Sequence, residues 1–421
     1  MDASQAQAYV ERIGRAARTA AATLATTTGA RRDAALKACA DALRQSKSRL
    51  EAANEKDLAR STELGLSKAM LKRLTLDDKR IESMATALEE IAAQVDPVGR
   101  AVAAYNRPNG LRIEKRRVPI GVVAIIYESR PNVTSDAAGL CLKSANAAIL
   151  RGGKEAIHSN LAIAEALREG IVAAGLPAEA VTVIDDTDRA VVPALCTAAA
   201  FVDLIVPRGG KGLIQAVTEA ACVPVIKHFD GVCHVYVHSG ADLDMAERIC
   251  LNAKCQYPAV CNAMETLLID AAVAESFLPR IADRLRAEGV ELRGCERSRA
   301  IVADLAEATE DDWRAEYLDL ILAVRIVDGL DAAIGHINEY GSGHTDAIVT
   351  GEIAAAERFV TEVDSSSVMV NASTRFSDGG EYGLGAEIGI STDKLHARGP
   401  MGADDLTTYK WIVTGSGHVR G

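Results

Sequence analysis

From Val118 onward the chain alternates short apolar runs with stretches whose apolar residues recur at helical spacing, and this alternation limits the fold more than any other feature. Val118 to Tyr127 is nearly uninterrupted apolar sequence, as in a strand buried on both faces. Ala147–Leu150 precedes a predicted helix over Glu155–Ala174, Val181–Ile184 one over Asp188–Leu195, and Leu204–Val206 one over Gly209–Ala220. A second set of strands runs through His234–Val237, Thr266–Ile269, Leu320–Val327, Ala347–Thr350 and Val368–Val370, with predicted helices over Ala241–Ala253, Val273–Glu288, Leu330–Glu339 and Ile353–Val360 between them. Strands separated by helices imply parallel sheet and βαβ crossovers, so the expected fold class is α/β. The first hundred residues read instead as helices, broken at Asp96–Pro97 and at the turn cluster Asn106–Gly110. Leu111 to Arg117 alternates apolar and charged residues as a hairpin strand does, and Gly402–Gly421 reads as an extended terminal strand. A chain of 421 residues exceeds what one core organises, and the expected join between two α/β domains lies near Ile226–Gly231.

Several function classes are excluded early. The net charge of -11 argues against a surface built to bind nucleic acid or anionic lipid, and 4% aromatic residues leave little for base stacking. The start, Met1 to Thr19, carries Asp2, Glu11, Arg12, Arg15 and Arg18 at helical spacing, which reads as an amphipathic surface helix rather than a signal peptide. No apolar stretch is long enough for a membrane span, since Pro193 and Asp203 interrupt the best one. The nine cysteines are odd in number and scattered, so a reducing, cytoplasmic setting is expected. Cys250, Cys255 and Cys261 form no CxxC pair and no HxxxH lies nearby, so no metal is expected.

Two glycine-rich turns follow predicted strands: Arg151-Gly152-Gly153-Lys154, and Pro207-Arg208-Gly209-Gly210 with Lys211. Backbone N–H groups and the dipole at a helix N-terminus suit a phosphate, although either turn alone could simply end a strand. Cys261 sits on a Pro-broken loop between a helix and a strand, where a thiol is placed to be partly exposed; by spacing alone it could equally be a small buried hydrophobe. His344 lies in the glycine-flanked turn Gly341–Asp346 and could face a pocket. Arg130, in Tyr127-Glu128-Ser129-Arg130-Pro131-Asn132, and Arg375, in Asn371–Gly380, follow apolar strands; each could bind a carboxylate or phosphate bidentately, or serve as a surface ion-pair partner.

The segments gain specificity together. Val118–Val123, Tyr127–Thr134, Leu150–Glu155, Asn252–Lys254 through Val260–Leu268, Gly341–Asp346, Val370–Phe376 and Lys394–Gly402 stand in an order and spacing that resembles the γ-glutamyl phosphate reductases of the aldehyde dehydrogenase superfamily, over almost the whole chain. The resemblance implies a Rossmann-type cofactor domain with the N-terminal helices (1–228, with a small oligomerisation hairpin at 100–118), a catalytic domain (229–385), and a return to the cofactor domain with an oligomerisation tail (386–421). It implies NADPH/NADP as cofactor, a likeness of Cys261 to the family's nucleophile, of Glu316 to the residue holding the nicotinamide ribose, and of Arg151 to Lys154 to the adenosine-side phosphate turn. Pro207 to Gly210 are assigned to the same cofactor, Asn132 to an oxyanion site with the Cys261 N–H, and Arg130, His344 and Arg375 to the substrate. The implied reaction is the NADPH-dependent reduction of L-glutamyl 5-phosphate to L-glutamate 5-semialdehyde and phosphate through a cysteine thioester. A small-molecule substrate, a homo-oligomer and association with glutamate 5-kinase are the partners it implies.

One departure from the hydrolytic aldehyde dehydrogenases is informative. Where those enzymes carry Glu-Leu-Gly-Gly, with the Glu activating water, this chain has His228-Phe229-Asp230-Gly231. Loss of that base favours phosphate over water as acyl acceptor, leaving open whether His228 or Asp230 acts in its place. The alternatives are another acylating aldehyde dehydrogenase, dependent on coenzyme A or phosphate, and a catalytically silent nucleotide-binding scaffold.

Overall fold

The N-terminal helices are set by caps and apolar stripes. Asp2 caps Ala3–Ala25 through the Gln5 amide in a reciprocal capping box, and Ala6, Val10, Ile13, Ala17 and Leu24 bury one stripe of that helix. Asp77 caps Asp78–Ala93 by accepting from the Arg80 N–H at 2.9 Å. The computed structural model describes residues 1–61, 63–66 and 68–421. It divides into two units: Met1–Lys227 with Gly383–Gly389 and Pro400–Gly421, and His228–Tyr382 with Ile390–Gly399.

The first unit holds a four-stranded parallel sheet in the order Val181–Val183, Ala147–Arg151, Val122–Tyr127, Leu204–Arg208. Val122 to Tyr127 is buried throughout, as an apolar run covered on both faces requires. The chain moves outward from Val122–Tyr127 to Val181–Val183, then returns to its other side, creating a switch point where α/β sheets bind ligands. Pro207 is accommodated because its strand is an edge. A separate antiparallel sheet joins Ala101–Asn106, Arg112–Pro119 and Thr407–Thr414, so the tail does pair with the hairpin.

The second unit is a seven-stranded parallel sheet in the order Ala306–Glu307, Glu291–Gly294, Ile321–Val327, Met264–Asp270, Cys233–Val237, Thr345–Val349, Ser367–Val370. Successive side chains serve opposite layers. Val235, Leu267, Ile269 and Val324 pack under Leu243–Cys255 and Ala271–Ala287, whereas Tyr236, Leu268 and Ile348 meet Ile334, Ile337 and Phe359 of Gly329–Tyr340 and Ile353–Glu362.

Three readings need correction. The segment around Arg130 does not only follow a strand: Pro131 stands immediately before the helix Asn132–Lys143, because a fixed φ and a missing N–H are compatible with a helix start. The strands Glu291–Gly294 and Ala306–Glu307 were unexpected; both are short, and exposed Glu and Ala positions hide their apolar pattern. The return over 386–421 is interrupted, because Ile390–Gly399 stays with the second unit, where Arg398 and Lys394 pair with Asp364.

Candidate active site

In the second unit, Cys261 lies on the loop between Leu243–Cys255 and Met264–Asp270 and is partly exposed. The loop's two ends are tied by a fully buried ion pair, Lys254 Nζ to Glu265 Oε2 at 2.6 Å. Burial pushes the Glu265 carboxyl up to about 7, against the pull of Lys254. Asn262 is buried and donates to the Ser377 carbonyl at 2.9 Å, which holds the segment carrying Arg375 beside the nucleophile loop. Gly231 packs so tightly on the Cys261 backbone that a Cβ there would overlap its carbonyl, and its N–H donates to Glu316 Oε1 at 2.9 Å.

Around the sulfur, ligand atoms of His228, Cys261 and His344 all lie within 4.8 Å of one another. The His228 and His344 rings meet edge to face at 5.4 Å between centroids. His228 Nδ1 is 2.8 Å from the Ile390 carbonyl, and His344 Nδ1 is 2.9 Å from Thr345 Oγ1. Cys233 Sγ donates to the Cys261 carbonyl at 3.2 Å; burial pushes this second thiol well above its usual range, so it stays protonated. The half-buried Arg375, held by Gln256 Oε1 at 2.9 Å, loses part of its basicity to burial, while the charges of Asp378 and Cys261 favour its cationic form. The arrangement can take a proton from the Cys261 thiol onto a neighbouring imidazole and hold an anionic group near the sulfur.

These groups sit at the amino ends of parallel strands: His228 precedes Cys233–Val237, Cys261 precedes Met264–Asp270, and His344 precedes Thr345–Val349. Ligands in open α/β sheets usually gather at the opposite, carboxyl ends.

The first unit follows the usual rule. A cavity of about 630 Å³ at its strand carboxyl ends is lined by Tyr127, Glu128, Ser129, Arg151, Gly153, Lys154 and, from the helix Lys211–Ala220, by Leu213 and Ala216. Arg151 donates to the Gly152 and Thr187 carbonyls, its buried Nε has no hydrogen-bond partner, and no carboxylate forms an ion pair with it among the described residues. A Cβ at Gly152 would strike the buried Asn160 and Tyr127, and one at Gly153 would push the Glu155 carboxylate out of place. A partly desolvated guanidinium that has carboxylates nearby but no ion pair, beside a side-chain-free turn, fits the phosphate end of a dinucleotide.

The second glycine turn is different. Pro207, Arg208, Gly209 and Gly210 do not line this cavity. Arg208 faces Glu387 at 3.8 Å, and the Gly210 N–H donates to Glu128 Oε2 at 2.9 Å, so the protein's own carboxylate takes the position expected for a phosphate. Arg130 and Asn132 also belong to the first unit; Asn132 is exposed and its amide donates to Asp136 at 2.9 Å.

The family model described as "Aldehyde dehydrogenase family" matches residues 2–293, more than half of the chain. The chain belongs to the aldehyde dehydrogenase family. Among solved structures, this aldehyde dehydrogenase is similar to a γ-glutamyl phosphate reductase from Thermotoga maritima, at 45% identity over 98% of this chain and 100% of that one, with a TM-score of 0.96. A γ-glutamyl phosphate reductase from Saccharomyces cerevisiae is 33% identical over 97% and 98% of the two chains, with a TM-score of 0.54. An acetylating aldehyde dehydrogenase from Geobacillus thermoglucosidasius shares the fold, at 20% identity, 100% and 99% coverage and a TM-score of 0.70. The family uses NAD(P), which agrees with the cavity's chemistry.

Sequence reasoning gave no role to Glu128, Glu155 or Cys233, all of which shape this aldehyde dehydrogenase's two sites. Glu155 accepts from both the Ser129 N–H and its hydroxyl at 2.7 Å, which fixes the rim of the cavity. The residues Tyr-Glu-Ser ending an apolar strand were a visible signal for Glu128. Nothing local signalled Cys233, whose partners lie 28 and 111 residues away.

Proposed function

We propose that this chain is a γ-glutamyl phosphate reductase, reducing L-glutamyl 5-phosphate to L-glutamate 5-semialdehyde and phosphate with NADPH, the second step of proline biosynthesis from glutamate. The observation that carries the chemistry is the partly exposed Cys261 with two imidazoles within 4.8 Å; the relatives at 45% and 33% identity carry the substrate.

A neighbouring imidazole accepts the Cys261 proton, and the thiolate attacks the γ-carbonyl of the acyl phosphate. Phosphate leaves with the bonding pair of its C–O bond, giving a thioester. NADPH, when bound, supplies the hydride that reduces this thioester. The resulting thiohemiacetal collapses to the aldehyde, the C–S pair returning to Cys261 as thiolate. Each addition places charge on the carbonyl oxygen, for which the Cys261 backbone N–H is the proposed donor; losing such a donor typically costs about 10²–10³ in rate. Arg375 pairs with the substrate's phosphate or carboxylate, and His344 lines the site. Glu316 holds the Gly231 backbone at 2.9 Å and is proposed to reach the nicotinamide ribose. Arg151 and Lys154 are proposed to select the additional phosphate of NADPH, and Arg151→Ala is expected to lower kcat/KM for NADPH more than for NADH.

The deciding experiment is the reverse assay: phosphate-dependent NADP reduction with glutamate semialdehyde. Cys261→Ala should abolish it, by at least about 10⁴-fold given what nucleophile removal costs elsewhere, while NADP still binds. Turnover near that of the unaltered protein would end the covalent reading. Coenzyme A in place of phosphate separates this reaction from that of a thioester-forming relative.

A reducing, cytoplasmic setting suits a catalytic thiol among nine free cysteines, and no helix among the described residues is long and apolar enough to cross a membrane. Homo-oligomerisation through the hairpin sheet, and association with glutamate 5-kinase to shield a labile acyl phosphate, complete the proposal.

A further inference from the structure

We propose that His228, Cys261 and His344 form a three-ligand site for a borderline-soft divalent cation of the zinc type, whose binding reversibly silences Cys261. The sequence argued against zinc because Cys250, Cys255 and Cys261 form no CxxC pair and no HxxxH lies nearby; the fold instead collects His228, Cys261 and His344 from three separate segments. Their ligand atoms already lie within 4.8 Å of one another, against about 3.5 Å between neighbouring ligands in a tetrahedral S,N site, so binding requires the partly exposed Cys261 side chain to turn toward the two rings.

The outer partners are of the kind ligating histidines use. A carbonyl oxygen can only accept, so His228 Nδ1, 2.8 Å from the Ile390 carbonyl, carries the ring hydrogen and leaves the lone pair on Nε2. His344 has Nδ1 set against Thr345 Oγ1 at 2.9 Å. Such contacts fix ring orientation and tautomer at metal centres. Two imidazoles and one thiolate leave a fourth position for water, the pattern of an open rather than a closed zinc site. Arg375 lies close enough for its charge to be felt by Cys261, and it opposes a dication, which favours reversible over permanent occupancy. A cation on the sulfur takes up the lone pair needed for attack. The silencing rests on Cys261 as nucleophile; the binding does not.

Cobalt(II) is the probe, titrated into the full-length, reduced protein. The expected result is one equivalent bound with a thiolate-to-cobalt charge-transfer band, displaced by zinc and removed by EDTA. Cys261→Ser should lose the band, and His228→Gln should weaken the apparent affinity at least about tenfold. Both positions are partly exposed, so neither change empties a packed core. Absence of the band in the unaltered protein, or its persistence in Cys261→Ser, overturns the site. Unchanged turnover at saturating zinc overturns the silencing. Full turnover by Cys261→Ser would instead sink the catalytic reading, and the cobalt spectrum would still decide the metal site.

Discussion

Gly231 shows how one residue can control a nucleophile without touching substrate. Its missing side chain lets the Cys261 backbone pack against it, and its N–H is held by Glu316 at 2.9 Å. Gly231→Ala must therefore displace the nucleophile loop, and an ångström of misplacement costs about 10²-fold in rate. Steady-state kcat of a variant with unchanged circular dichroism checks this; retained turnover would show that the contact is incidental. Asp136 offers a pH test. Burial pushes its carboxyl from 3.8 up to about 6, with hydrogen bonds from Asn132 and Ser135 pulling the other way. Between those values the folded protein keeps a proton that the unfolded chain has released, so this group's contribution to stability is full below about 4 and is lost as pH rises through about 6. Asp136→Asn should flatten that slope in urea denaturation. Neither effect could be read from the sequence: Gly231 stood there only as part of the His228–Gly231 stretch, and nothing in it marked Asp136.

At the scale of elements, the helix Leu243–Cys255 and the strand Met264–Asp270 were legible from apolar period and length, and so was the loop between them. Their fastening was not. Lys254 and Glu265 close the loop inside the core, 11 residues apart. Removing one partner by Lys254→Met or Glu265→Leu leaves a buried charged group unmatched and should cost about 3–5 kcal/mol, whereas the double change Lys254→Met with Glu265→Leu should recover most of it. Equilibrium denaturation of the three variants measures this cycle, and additive losses would show that the pair is not coupled. The second glycine turn is the converse case. Its pattern promised a phosphate cradle, yet Glu128 already receives the Gly210 N–H, because the end of the directly paired neighbouring strand brings a carboxylate to the helix start.

For the whole molecule, the antiparallel sheet of Ala101–Asn106, Arg112–Pro119 and Thr407–Thr414 exposes Trp411 and Val413, 54% and 57% accessible, on the face shared with Tyr105. An uncovered apolar face of this kind marks an interaction surface, and the proposed homo-oligomer would use it. Trp411→Glu with Val413→Lys is expected to lower the mass seen by light scattering; an unchanged mass would exclude this sheet from the assembly. By itself the sequence determined the α/β class, the strand-helix alternation and the glycine turn beside Arg151, since periodicity and backbone conformation are local properties that a dozen residues encode. Only the tertiary structure decided which histidines stand beside Cys261, that they gather at the amino ends of the strands, and that Glu128 occupies the second turn. Those facts depend on strand order and register, through which residues more than a hundred positions apart become neighbours, and no short window of sequence contains them.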